Sequence, residues 1–527
     1  MTSRTILRYA LALSVVASLA SCGGGGGGGT AGGSGTATGF AALPPAASVA
    51  AMCAAPRSGV DPYTKQAYPD KQGTLLNEQN WLAAWTNDLY LWYSEVPYPE
   101  PASYADTGSY FQALKTTAKT ASGVAKDHFH YNIPTPDWQA QVTGAPEAGY
   151  GVNWSVLSSS PPRSFVVAYT DPNSPATQLA PALARGAKVL QVDGVDLVND
   201  NTTAGIAKLN AGLSPATAGE RHTFVVQDLG GGANRTITMT SANVTPVAVQ
   251  NVGTLAGTTV GYMLFTDHMM HAESALIAGV AQLKAANVTD LVIDIRYNGG
   301  GLLDIASELG YMVAGPTQTK NKTFELLTFN DKHKTIDPVN GGAITPTPFF
   351  TTALGFSTAS GTVLPYLGLT RVYVLTGPGT CSASESLMNG LRGAGVEVIQ
   401  IGSKTCGKPY GFYDQDNCGT TYLSIEFKGV NALGFGDYSD GFAPANNAAA
   451  ATLDPSAVFP GCTIADDFTH ALGDPAEARL AAALQYRANG TCPSATGLGQ
   501  ARQLKSLAAT DGYMNKSLFL TNRILRR

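Results

Sequence analysis

Charge is scarce in this chain. Asp, Glu, Lys and Arg make up 13% of its 527 residues, and the formal net charge is −5. No Lys/Arg-rich run is present, so the electrostatic footprint of a nucleic-acid-binding protein is missing. Cys-x-x-Cys spacing is absent as well, which leaves a zinc ribbon or a thioredoxin-type site without support. Beyond the N-terminus no apolar stretch reaches the ~20 residues that cross a bilayer. Nothing implies a cofactor. What the chain does have is a large apolar fraction, 44%, over a length that predicts roughly two to four domains.

The N-terminus has the pattern of an export signal. Arg4 and Arg8 precede an apolar run from Tyr9 to Ala20, and small residues follow. Leu19-Ala20-Ser21-Cys22 resembles a bacterial lipobox. The expectation is a signal peptide over 1–21 and a mature protein anchored to a membrane by a lipid on Cys22. Gly23 follows in place of the Asp that retains lipoproteins at the inner membrane, which points to an outer-membrane lipoprotein facing the periplasm or the cell surface. Gly23 to Gly29 then open a Gly-rich segment, 22–71, expected as a flexible linker.

Six cysteines remain: Cys53, Cys381, Cys406, Cys418, Cys462 and Cys492. An even set in an exported chain predicts up to three disulfides, with 15 possible pairings. Cys406 with Cys418 and Cys462 with Cys492 are the cheapest local closures, leaving Cys53 for Cys381.

Three kinds of pattern succeed one another along the rest of the chain. Residues 72–145 are expected to be a helical N-terminal domain, with Leu82, Trp85, Leu89 and Trp92 as a core stripe. Residues 146–246 show short strands at Phe165–Thr170, Lys188–Val192, His222–Leu229 and Arg235–Ser241, with helices expected at Ala176–Ala184 and Thr203–Leu209. Residues 247–492 alternate strand and helix, predicting an α/β layered domain. Its elaborated insertion is expected at Thr317–Leu369, and a tail follows over 493–527.

The middle segment resembles a PDZ domain of the type attached to bacterial peptidases. Ser174-Pro175-Ala176, Gly186 and Gln191-Val192-Asp193-Gly194 carry the resemblance, with Ala187 where the family has Asp. The resemblance makes Gly149-Tyr150-Gly151-Val152 the loop that receives a peptide's terminal carboxylate, the peptide adding as an edge strand.

Two loops concentrate the chemistry. In Asp294-Ile295-Arg296-Tyr297-Asn298-Gly299-Gly300-Gly301, three glycines allow close backbone approach ahead of a helix, where N–H groups stabilise developing negative charge. The Lys-Ser/Thr ending of a phosphate-binding P-loop is missing. In Gly377-Pro378-Gly379-Thr380-Cys381-Ser382-Ala383-Ser384-Glu385, a serine among small residues opens a helix. Taken alone, that serine is an ordinary N-cap.

Together with Gly407-Lys408, which follows the next strand, these loops resemble the carboxyl-terminal processing (tail-specific) peptidases. That family carries an Asp-Leu-Arg-x-Asn-x-Gly-Gly loop, a Ser-Ala-Ser-Glu turn and a Gly-Lys, in this order, after a PDZ domain. The resemblance implies a crotonase-like layered catalytic domain, with Ser382 as nucleophile and Lys408 as general base. Ala383 and Gly300, or a neighbouring glycine, would supply the oxyanion-hole N–H groups. The substrate would be a polypeptide. Lys408 lies 26 residues after Ser382, one more than the family's usual spacing. The glutamine that often orients the lysine is replaced by Phe412, leaving Gln400 and Gln415 as candidates for its role. A distant branch uses a histidine, which makes His130 a rival base. Lys404, also a candidate base, sits before the turn and is matched by a variable family position, and His268-x-x-His271 beside Asp267 is a metal pattern without a third ligand motif. The alternative function is a catalytically inactive lipoprotein on the same fold that binds peptide or hydrophobic ligand.

Overall fold

The computed structural model describes residues 39–493. The signal segment, Cys22, the glycine run and nearly all of the tail lie outside the described residues.

A six-stranded sheet organises the C-terminal half, in the order Val249–Thr254, Val260–Phe265, Asp290–Asp294, Arg371–Thr376, Glu397–Gly402, Gly461–Thr463. The first pair is antiparallel and every later pair is parallel. Strict alternation along these strands explains why both faces are covered. Met263, Phe265, Leu291, Ile293, Val372, Val374 and Val398 face one core, with the helices Ala272–Ala285, Leu303–Thr319 and Ala383–Gly393. Tyr262, Leu264, Val292, Tyr373, Leu375, Ile399 and Ile401 face the other, where Leu480, Ala482 and Ala483 of the helix Ala478–Asn489 pack. Helices on both faces of a mostly parallel sheet match the α/β expectation. Its strand-to-helix turns present both candidate loops.

Residues 152–240 build a second sheet, ordered Arg235–Thr240, Arg221–Gln227, Lys188–Val192, Ser164–Thr170, Val152–Ser158. The helix Thr203–Leu213 closes it through Ile206, Leu209 and Leu213. Val152–Ser158 is the edge strand, and Gly149–Val152 leads directly into it. Ala176–Ala184, expected as a helix, is a series of turns. Pro181 inside it has no N–H to continue a helical ladder.

The N-terminal part differs more from expectation. Residues 39–71, expected as a flexible linker, are folded: Met52–Cys53 pairs with Lys71–Gln72, and Cys53 is buried. Within residues 72–145, α-helix is confined to Leu75–Leu89, Thr107–Ala113 and Thr135–Thr143, with turns and short 3-10 segments between the first two. The predicted stripe is core at Leu82, Trp85 and Leu89, where Trp81 stacks on Trp85. Trp92 lies past the helix end and packs on Tyr410 instead. Tyr131–Pro134 pairs with Thr420–Leu423, so this region shares a sheet with the C-terminal half.

Two of the three cysteine pairings also differ. The bonds are Cys53–Cys418, Cys381–Cys406 and Cys462–Cys492. Only the last is the pairing expected. Loop-closure entropy varies slowly with loop length, so through-space position decides the pairing. The Gln415–Asn417/Thr420–Leu423 hairpin carries Cys418 to the N-terminal segment, leaving Cys406 beside Cys381.

Candidate active site

Ser382 occupies the N-cap position of the helix Ala383–Gly393, but its backbone is not that of an ordinary cap. Its φ of 55° and ψ of −118° put a non-glycine residue in the left-handed half of dihedral space. An N-cap is normally extended, and such strain persists only where the surroundings enforce it. They do so here with two loops zipped together. The Asn298 carbonyl accepts from the Cys381 N–H (3.2 Å) and from the Ser384 hydroxyl (3.0 Å). Thr380 Oγ1 donates to the Ile295 carbonyl at 2.8 Å.

Gly300 lies directly against the serine turn. A Cβ there would sit 2.8 Å from Ser382 Cβ and 2.9 Å from the Ala383 nitrogen, so no side chain fits. With a φ of +94°, the position also favours glycine. Ser382, Ala383 and Gly300 are therefore one constellation. The Gly300 N–H itself donates to Asn298 Oδ1 at 2.9 Å. To act in an oxyanion hole it would have to share that bond, whereas the Ala383 and Gly301 N–H groups have no partner among the described residues. Asn298 is fixed in turn by its Nδ2, which donates to the Phe265 carbonyl, and by contact with His268 Nδ1.

The lysine turn joins this constellation through one buried carboxylate. Glu385 Oε2 accepts from the backbone N–H of Ser382 (2.9 Å) and of Lys408 (2.8 Å). Oε1 accepts from the Thr405 hydroxyl (2.5 Å) and the Gly407 N–H (2.9 Å). Burial raises the Glu385 pKa, and the donors from Thr405, Lys408, Gly407 and Ser382 oppose that rise. The Cys381–Cys406 bond adds a covalent link between the same two turns. Gly407 allows the close fit, since a Cβ there would meet the Ser439 carbonyl oxygen at 2.3 Å.

Lys408 is 9% exposed, with Nζ 4.5 Å from the Phe412 ring centroid and 5.1 Å from that of Phe129. Its surroundings are thus aromatic. Gln400, one of the proposed stand-ins for the missing glutamine, donates to Thr376 Oγ1, the Ser403 carbonyl and the Phe442 carbonyl. Gln415 pairs with Tyr422 in a hairpin. Lys404 donates to the Asp440 carbonyl. The rival base His130 is buried, stacks on Phe111 at 3.7 Å, and has Nε2 2.9 Å from the Phe111 carbonyl oxygen. Burial lowers its pKa to about 4, against the influence of Asp127. His268 and His271 meet different partners, Asn298 and Asp267. Gly149 pairs with Ala242 in a separate two-stranded ladder, and Tyr150 and Gly151 lead from it to Val152 on the second sheet, with the Tyr150 hydroxyl donating to the Gly212 carbonyl.

Beneath the glycine loop lies a charge cluster that no sequence motif announced. Arg296, fully buried, donates to Asp294 (2.9 Å), Asp466 (2.8 Å) and both oxygens of Glu477 (2.7 and 2.9 Å). Asp466 is held well below the usual carboxylate range by Arg479, Arg296 and Arg185, which overcome its burial. Arg185, from the second-sheet segment, donates to Asp466 and to the Tyr297 hydroxyl.

Residues 259–411 match the model of Peptidase family S41, a span that includes the glycine loop, the Ser382 turn and Lys408. The chain carries an S41 peptidase domain. A candidate S41 protease from Bacteroides fragilis NCTC 9343 shares its fold, with a TM-score of 0.57 and 20% identity, covering 80% of this chain and 98% of that one. A photosystem II D1 C-terminal processing protease matches at a TM-score of 0.38 and 19% identity, over 70% of this chain and 90% of its own. Mature CPAF complexed with lactacystin gives 0.36 and 12%, over 70% and 93%. No curated protein matches. The matched span holds the three motifs that carry the resemblance to carboxyl-terminal processing peptidases.

Proposed function

We propose that this S41 domain is a serine endopeptidase in which Ser382 is the nucleophile and Lys408 the general base. The observation that carries this reading is the shared carboxylate oxygen. Glu385 Oε2 takes the N–H groups of Ser382 and Lys408 together, fixing a strained serine and a buried lysine in one frame. An ordinary N-cap serine needs neither the strain nor the lysine.

A hydroxyl is a weak nucleophile until a base takes its proton. A lysine does so only when neutral, and removal from water disfavours its ammonium form. In the proposed cycle Ser382 Oγ attacks the scissile carbonyl carbon as its proton passes to Lys408 Nζ. The Ala383 N–H and a glycine N–H of the 299–301 triplet receive the oxyanion. Collapse expels the amine, which takes the proton from Lys408 and leaves an acyl-serine. Water then attacks the ester, giving its proton to the same lysine, and the carboxylate product departs with Ser382 restored.

The substrate class we propose is an extended polypeptide cleaved near its C-terminus or in an unfolded stretch, captured as a strand along the edge strand Val152–Ser158 with Gly149–Val152 as the carboxylate loop. Three disulfides among the described residues support an exported, oxidising location. An anchor on Cys22 accords with the leader sequence and is tested by fatty-acid labelling of the wild type against Cys22→Ala. No described helix is long and apolar enough to cross a membrane.

The direct test is cleavage of an unstructured polypeptide. Ser382→Ala and Lys408→Ala should each abolish it while melting like the wild type. Cleavage that persists in the serine variant overturns the mechanism, and an inert but ligand-binding wild type would favour the non-catalytic alternative.

A further inference from the structure

Two phenyl rings wall in Lys408. Both centroids lie within the ~6 Å at which a ring face attracts a cation. Phe412 comes from the same turn as the lysine. Phe129 comes from the N-terminal region and is 1% exposed. Its backbone is pinned by Asp127, whose Oδ1 accepts the N–H groups of Phe129 (2.9 Å) and His130 (3.0 Å). Asp127 Oδ2 is held by the Tyr90 hydroxyl at 2.6 Å. Tyr90, Phe129, Cys381 and Ile425 form one buried cluster, with Cys406, Tyr410 and Phe412 packed against it. The rings and the disulfide therefore share a pocket.

We propose that Phe129 and Phe412 are positioning residues for the general base, aligning Lys408 Nζ and stabilising the ammonium it becomes as Ser382 attacks. This rests on Lys408 being the base. When the serine proton moves to Nζ, a positive charge appears where little water can solvate it. Two ring faces offer negative quadrupole density to that charge while leaving the neutral amine almost unaffected. The favourable interaction grows toward the transition state, which is the condition for lowering a barrier. The arrangement also makes the N-terminal region part of the active site, through Phe129 and not through His130.

Phe412 is half-buried, so its variants are the safer ones to fold, and four substitutions decide the matter: Phe412→Leu, Phe412→Tyr, Phe412→Gln and Phe129→Leu. Plateau kcat, KM and the pH midpoint of kcat are measured on a fluorogenic unstructured peptide, with Tm recorded for each protein. Leucine keeps apolar bulk but removes the ring. Each leucine variant should lose about fivefold in plateau kcat, with KM within about twofold, and its midpoint should fall by about 0.7 pH unit. Phe412→Tyr should match the wild type, and Phe412→Gln should recover most of the lost kcat by replacing the ring with a hydrogen-bonding amide. Leucine variants with wild-type Tm, kcat within twofold and an unmoved midpoint would overturn the proposal while Lys408→Ala stays inactive. Activity retained in Lys408→Ala would instead sink the base assignment beneath it. If Phe129→Leu does not fold, the Phe412 series decides alone.

Discussion

Cys381 is disulfide-bonded to Cys406, so the residue preceding Ser382 is covalently tied to one two positions before Lys408. The bond closes a separation of 25 residues, for which constraint of the unfolded chain contributes about 3 kcal/mol. Cys462–Cys492 closes a similar span of 30 at the far edge of the central sheet. The two bonds thus have matched stabilising effects and different surroundings. Replacing Cys381 and Cys406 together by serine should lower Tm and also reduce kcat by about tenfold. The Cys462→Ser/Cys492→Ser pair should lower Tm comparably and leave kcat near wild type. Equal losses of activity in both would show that the first bridge contributes only stability.

Glu385 serves the same junction without a covalent bond. Its two oxygens accept four hydrogen bonds, two each. Glutamine preserves the shape but replaces one acceptor oxygen by an NH2 group, which leaves two buried donors unpaired. Each orphaned donor costs about 1–3 kcal/mol. Glu385→Gln is therefore expected to lose several degrees of Tm and at least about a hundredfold in kcat. Near-normal turnover in a protein with lowered Tm would separate stability from catalysis and remove Glu385 from the positioning frame.

The site was more legible in the sequence than its supports. Gly300, Ser382 and Lys408 lie in three motifs whose residue types are required locally, by close backbone approach, a helix start and the proposed base. The α/β core showed itself through uninterrupted apolar strands such as Val260–Phe265. The cysteine pairing was not legible, because it depends on where the Gln415–Leu423 hairpin carries Cys418. Phe129 carried no signal at all: an aromatic beside two histidines announces packing, and only its meeting with Lys408 gives it a role. Arg296 lies inside the glycine-loop motif, but its partners Asp466 and Glu477 come from beyond the last motif. The overestimate of helix in residues 72–145 has a different cause, since the periodicity of the Trp-rich stripe ends at Leu89 and Trp92 packs across a turn.

Three buried acids should make stability fall as pH rises. Burial pushes the carboxyls of Glu308, Glu325 and Glu426 each up to about 8. All three values lie above the ordinary 4.5, so the folded state favours the protonated form. Their contribution is fully present below about pH 4.5 and is lost as pH rises through about 8. Tm should therefore decline between about pH 5 and pH 9. Glu325→Gln mimics the neutral acid, and it should flatten part of that decline. A variant with the wild-type slope would show that Glu325 ionises in the folded protein without cost.

Arg185 joins the second sheet to the glycine loop. Its guanidinium donates to the Asp466 carboxylate at 2.7 Å, the Tyr297 hydroxyl at 2.6 Å and the Ala168 carbonyl at 2.6 Å, and it lies over the Phe468 ring. Tyr297 immediately precedes Asn298, whose carbonyl holds the serine turn. Substituting Arg185 by Met keeps the apolar stem but leaves Asp466 with one fewer buried cation. Arg296 and Arg479 remain beside it, so the cost should fall short of the 3–5 kcal/mol typical of a broken buried pair. We expect a loss of about 2 kcal/mol, together with faster proteolysis between residues 240 and 250, where the second sheet meets the catalytic domain. Arg296→Met is the contrasting case, because it removes the only cation bonded to Glu477 and Asp294 among the described residues. It should cost more than Arg185→Met and abolish activity by releasing the glycine loop. The opposite ranking of the two variants in chemical denaturation would show that the anchor of the loop is Arg185.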